Sequence, residues 1–193
     1  MATEVSICSN ALRRLGDSPI TSLTEDSERG RLCNAFYEPS RDAILRSHTW
    51  NFAINRANLA KLSTSPAFEY ANQFALPTDP FCLRVLKMEF EDFEFKIENL
   101  AGQGRVLLTD EGEAKIIYIA RVTDPSLFDS MFVDVLTAKL AVDLAYPVTN
   151  STTLQAQMQK LFERKLSEAR SLDSTEGSTD SLISTVFTDF RAP

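Results

Sequence analysis

The stretch that decides the fold is DPSLFDSMFVDVLTAKLAVDLAYP, residues 124–147. Phe128, Phe132, Leu136, Leu140 and Leu144 recur at four-residue spacing, the apolar stripe of a helix laid on a core. Asp124-Pro125 supplies an N-cap residue followed by proline at the first helical position, so the helix is expected to start there. Pro147 is expected to end it. Thr149 to Ser151 can cap a following helix, which carries Leu154, Met158, Leu161, Phe162, Lys165 and Ala169. Its other face is polar and charged, so the pair reads as a hairpin of two long helices.

Upstream, residues 50–122 change character and read as strands and turns. Phe93, Phe95 and Ile97 alternate with Glu94, Lys96 and Glu98, as in a half-buried strand. Arg84, Leu86, Met88 and Phe90 are expected to form one face of another strand. Residues 105–109 and 114–122 look like a hairpin around Asp110-Glu111-Gly112, with Gly102 and Gly104 punctuating the turn before it. Short strands with tight connections imply an antiparallel sheet.

Further upstream two helices are expected. Val5, Cys8, Leu12 and Leu15, with Ala11, form the stripe of the first; Thr3 is its N-cap candidate and Gly16 its stop. After a turn-rich connector, Ser22 and Glu25 have capping-box spacing, which starts the second helix between Thr24 and Ser27. It carries Leu32, Cys33, Phe36 and Tyr37, then Ala43, Ile44 and His48. Pro39 inside it predicts a kink or a short break.

Downstream of the hairpin the composition shifts again. SLDSTEGSTD, residues 171–180, has no periodicity and reads as a disordered linker. Leu182, Ile183, Val186, Phe187 and Phe190 follow inside a polar frame. Such anchors either fold back onto the chain's own core or dock in a groove on another protein.

The chain of 193 residues suits one domain with a tail or with an inserted subdomain. A hydrophobic share of 44% and a charged share of 24% are those of a globule able to bury a core without metals or disulfides. A net charge of -7 argues against a basic nucleic-acid-binding surface, yet suits a wall that DNA slides past without sticking. The start MATEVSICSNALRRLG does not read as a signal peptide, and no run approaches the ~20 apolar residues of a membrane span.

Little chemistry is offered. Cys8, Cys33 and Cys82 lack zinc or redox spacing and read as small buried hydrophobes. His48 could pair with Cys33 or Ser47, but neither is flanked as a nucleophile, so a helix-end histidine bonded to carbonyls is the simpler reading. No phosphate-cradling loop is present and glycine numbers only six. Carboxylates are plentiful enough to offer a hydrolytic pair, but those such as Glu94 and Glu98 sit at solvent-facing strand positions, so a solvated face is the simpler reading. The Asn150-Ser151-Thr152 sequon carries no meaning without a secretion signal. No catalytic residue, cofactor or metal site is expected.

The run SNALRRLGDSPITSLTEDSERGRLCNAFYEPSRDAILRSHTWNFAINRANLA, residues 9–60, resembles the opening of phage head-to-tail adaptor proteins of the tail tubular protein A type. The shared features are Leu15-Gly16, the Pro-Ile-Thr-Ser-Leu segment at 19–23, Tyr37, Arg41-Asp42 and Trp50-Asn51-Phe52-Ala53. They cover the first third of the chain; beyond it the likeness is one of layout. The resemblance implies a ring of subunits, dodecameric in the family, seated beneath the portal protein. Such a ring extends the DNA channel, passes genomic DNA without sequence-specific binding, and presents a platform for the tail nozzle or next tail component. It implies a place in the virion neck, with assembly in the host cytoplasm, and no membrane. It also implies that Leu182, Ile183, Val186, Phe187 and Phe190 dock on the portal.

The expected fold is therefore α+β: mainly an α-helical bundle with an inserted small antiparallel β-sheet domain and a flexible C-terminal tail. Residues 1–49 give the N-terminal helices of the bundle, 50–123 the β-rich insertion, 124–170 the C-terminal helical hairpin and 171–193 the tail. The expected function is structural rather than enzymatic. The alternatives are a phage-encoded hydrolase of the peptidoglycan type or another neck or tail-completion ring protein.

Overall fold

The computed structural model describes residues 2–89 and 92–176. Four helices and two three-stranded antiparallel sheets make an α+β fold. In chain order the helices are α1 (Glu4–Arg14), α2 (Glu28–Ser47), α3 (Ser130–Thr149) and α4 (Thr152–Asp173). Between α2 and α3 lie β1 (Ile54–Asn58), β2 (Asn72–Ala75), β3 (Cys82–Met88), β4 (Lys96–Leu100), β5 (Gly104–Thr109) and β6 (Lys115–Ala120). Among the described residues no helix is long and apolar enough to cross a membrane.

α3 is the axis of the bundle. Ten of its residues are buried, around nearly its whole circumference, against α1, α2 and α4. Its start differs from expectation. Asp124 does cap, but it caps a 3₁₀ turn at Pro125–Leu127, accepting the Ser126 N–H at 2.8 Å. The α-helix begins five residues after Pro125, where Asp129 accepts the N–H groups of Met131 and Phe132. Pro147 does not end the helix either. It sits inside the last turn, and the stop comes at Asn150, whose φ of 52° is left-handed.

The N-terminal helices follow the expected stripes with local changes. Thr3 and Ser6 form a reciprocal cap on α1, and Gly16 takes the positive φ of 78° needed just past its end. The N-cap of α2 is Ser27, not Ser22. Glu25 instead accepts the Ser27 hydroxyl and the Thr21 N–H, which hold its carboxyl down at about 2. This turn runs so close to α2 that a Cβ at Gly30 would lie 2.8 Å from the Glu25 carbonyl oxygen. α2 runs through Pro39 without a break. The lost backbone hydrogen bond is outweighed by packing, since Tyr37, Ile44 and Leu45 join the helical core on either side of it. Ala43 faces outward, and Ser40 and Arg41 take inward positions.

The β region is two sheets rather than one. β6 is the centre of the first, flanked by β1 and β3; β5 is the centre of the second, flanked by β2 and β4. The expected hairpin of 105–109 with 114–122 does not form. β5 pairs with β2 and β4, and across residues 110–114 the chain crosses to the other sheet. The true hairpin is β4–β5, closed by the Gln103 N–H on the Leu100 carbonyl at 3.1 Å. The alternation from Phe93 becomes strand only at Lys96. Glu94 and Glu98 are exposed, as their alternation implies. Arg84, Leu86 and Met88 do not share a face, because β3 shifts register twice against β6. Leu86 packs toward the helices and Met88 into the β core. Phe90 lies outside the described residues.

The first sheet is a shared wall. Ile116, Tyr118 and Ala120 of β6 enter a core with Phe74, Leu107 and Met88, contributed by both sheets. Ile119, on the opposite side of β6, packs with the helices beside Leu83. One strand thus serves two cores, which is how the bundle and the β region are joined.

Candidate functional site

The apolar anchors Leu182, Ile183, Val186, Phe187 and Phe190 lie outside the described residues. What the structure defines is the point from which that segment leaves. α4 continues through Asp173, past the 170/171 boundary expected from composition. Five residues fasten its end to the turn after α2. The Asp173 carboxylate accepts the Asn51 N–H at 3.1 Å and lies 3.1 Å from His48 Nε2. The Asp173 carbonyl accepts the Asn51 side-chain amide at 2.7 Å. One turn back, Arg170 Nη2 donates to the Ser47 carbonyl and hydroxyl, both at 3.3 Å.

The receiving turn is rigid for a sequence-level reason. Trp50 is fully buried, and its indole N–H donates to the Ile44 carbonyl at 3.0 Å, folding the chain back over the last turn of α2. His48 meets Trp50 edge-on at 4.8 Å between ring centroids. Trp50 and Phe52 both pack on Phe132 edge-on, and Phe128 closes the cluster. Ala53 is buried beside them. The His-Thr-Trp-Asn-Phe-Ala run therefore works as a buckle: aromatics seat it in the core, and Asn51 and His48 hold α4.

His48 is not part of a nucleophilic dyad. Its Nε2 is taken by Asp173, while Ser47 Oγ donates to the Ile44 carbonyl at 2.8 Å. Burial pushes the His48 pKa down; the Asp173 hydrogen bond opposes this, and the combined result stays below the ordinary value. Cys8, Cys33 and Cys82 are buried free thiols. The hydrogen bond to Cys33, together with burial, pushes the Cys8 thiol far up, and burial raises Cys82, so neither supplies a thiolate. Among the described residues no group of three or more His, Cys, Asp or Glu side chains could hold a metal.

Arg41-Asp42, also quoted for the resemblance, falls at a joint. Arg41, almost wholly buried, holds Asp42 at 3.0 Å, and Asp42 meets Arg121 just past β6 at 2.8 Å. The Arg121 guanidinium rests 4.4 Å over the Phe81 ring. This joins α2 to the exit of the β region. Asp134 of α3 is gripped by Arg14 of α1 and by Lys165 of α4, the latter at 3.1 Å. Burial raises the Asp134 pKa, but the bonds from Arg14 and Lys165 outweigh it and hold the carboxyl below its usual value.

Sequence reasoning missed Asp173, Asn51 and Arg170. The first lay in a stretch read as linker, and the bonds of all three span more than 120 residues of chain. Helical phase offered the one available signal: Leu166, Ala169 and Asp173 continue the inward stripe of α4. No family model matches the chain, and no curated protein matches it.

Proposed function

We propose that the chain is a structural, non-enzymatic head-to-tail adaptor subunit of a tailed bacteriophage. In this reading copies form a ring, dodecameric as in the family it resembles, that attaches to the portal protein. The ring extends the DNA channel without sequence-specific contact and offers a platform to the tail nozzle or next tail component. It assembles in the host cytoplasm and remains in the neck of the virion.

One observation carries the reading. The Trp50-Asn51-Phe52-Ala53 motif, central to the resemblance, forms the buckle that fixes the end of α4. The apolar anchors follow nine or more residues after Asp173. A docking segment is most effective when it leaves a rigid body at a fixed place, because the partner then supplies the ordering of the segment alone. In a ring, each subunit's attachment also raises the effective concentration of its neighbours. A net charge of -7 suits a channel lining that does not retain DNA.

The test uses two truncations. Removing residues after Glu176 preserves Asp173 and should leave a folded protein that no longer co-sediments with portal rings. Removing residues after Ser171 also takes the buckle's partner and should lower stability as well. Alanine at Leu182, Phe187 and Phe190 in the full chain should reproduce the first result. Undiminished portal binding by the chain ending at Glu176 would refute the docking role.

A further inference from the structure

Independently of that reading, we propose that the seam between the helices and the two sheets is a binding site for a phosphate-type dianion, free or esterified. Arg46 from the last turn of α2, Arg84 of β3 and Arg105 of β5 line one hollow of about 420 Å³. Its remaining lining includes the apolar Val85 and Ile97 and a single carboxylate, Glu98. Arg84 and Arg105 are half-buried and Arg46 is exposed, and each is held by a hydrogen bond within the fold. Arg46 donates to the Leu83 carbonyl, Arg105 Nη1 to the Cys82 carbonyl at 2.5 Å, and Arg84 Nη2 to the Thr49 hydroxyl at 3.2 Å. Each bond uses one guanidinium nitrogen and leaves further N–H donors. The Nε of Arg84 is buried and has no hydrogen-bond partner among the described residues.

Charge balance selects the ligand class. Among the described residues none of the three arginines forms an ion pair with a carboxylate, and Glu98 is engaged by Lys96 at 3.3 Å. Three cations against one carboxylate leave two uncompensated positive charges in a chain whose net charge is -7. A lone carboxylate offers one charge and two coplanar oxygens. A tetrahedral dianion offers two charges and oxygens in several directions, matching guanidiniums that arrive from three different elements. Val85 and Ile97 give the carbon side of an ester an apolar surface to rest on. Because α2, both sheets and the hollow meet here, an occupant would tie the β4–β5 hairpin to the bundle.

The experiment is calorimetric titration of the full chain at pH 7.5, with ionic strength held by chloride. The probes are inorganic phosphate, glycerol 3-phosphate, sulfate and nitrate. Saturable one-to-one binding of phosphate and sulfate, without nitrate, is expected. The double variant R84Q/R105Q should weaken phosphate at least tenfold, and E98Q should tighten it about two- to threefold by removing the opposing charge. Equal affinity for phosphate and glycerol 3-phosphate assigns the site to the free ion; a tighter ester assigns it to a phosphate ester. E98Q leaves every arginine contact in place, so it reports even where the double variant fails to fold. The proposal is overturned by non-saturating heats, by affinity indifferent to E98Q, or by an oligonucleotide or acidic peptide that binds here and is not displaced by phosphate.

Discussion

α3 and α4 are neighbours of nearly equal length, 20 and 22 residues, with opposite characters. α3 has ten buried residues, whereas α4 has Ala169 alone. α4 rests on the bundle through a half-buried line of Leu154, Met158, Phe162 and Leu166 and is then fastened at its end by polar bonds. The difference separates two tasks. α3 stores the stability of the helical half, since burial scales with apolar area removed from water. α4 lies along α3 for its length, but its last turn is held chiefly by the polar bonds of Arg170 and Asp173, so small changes there can free its end without unfolding the rest.

The largest effect should fall on α3. Phe132→Ala removes a fully buried ring that touches Trp50, Phe52 and Phe128, and is expected to cost about 3–5 kcal/mol in denaturant unfolding. A loss below about 1 kcal/mol would abolish the contrast between the helices. Asp173→Ala should cost less, about 0.5–1.5 kcal/mol, since it removes the acceptor of the exposed Asn51 N–H and releases His48. Its signature is local: hydrogen exchange should quicken in the last two turns of α4 while α3 keeps its protection. Uniform acceleration in both helices would show that the buckle serves the whole bundle.

Acid should act on the same end. The His48 pKa is lowered in the fold, so below about 6.5 the unfolded chain binds the proton more readily than the folded one. The stability this imidazole contributes is complete above that pH and is lost as pH falls through the folded value. Denaturation midpoints of wild type and H48N should therefore converge on acidification from pH 7.5 to 5.5. A constant gap would remove His48 from the pH response. The smallest change is expected from Lys165→Ala, where partly exposed Lys165 meets Asp134; thermal melting should show little or no shift.

Much of this division was legible in the sequence. The four-residue recurrence from Phe128 to Leu144 places α3 in the core, and the one-sided pattern of α4 marks it as a surface helix. Helix starts were less legible because Asp124 and Asp129 are both competent caps, and only packing decides which begins the α-helix. Pro39 and Pro147 mislead for a related reason: a buried helix tolerates one missing backbone bond that an isolated helix would not. The pairing of β5 and β6 with different sheets depends on contacts distant in sequence, to which the local turn at 110–112 is blind. The buckle was hidden in the same way, with Asn51 and Asp173 brought together only by the bundle.

The pairing of β1 with β6, in which Ile54 stands opposite Ile119, has a consequence for how such a chain can change. The first and last strands of the β region are neighbours, so the polypeptide enters and leaves that region through one doorway. β3 also rests on the helices through Leu83 and Leu86, so it is the second sheet, β2 with β4 and β5, that hangs from this stem. Loops there can lengthen, or a strand pair be exchanged, while the distance between the ends of α2 and α3 stays fixed. The architecture is that of an interchangeable head on a constant stalk, open to diversification without renegotiating the helical frame.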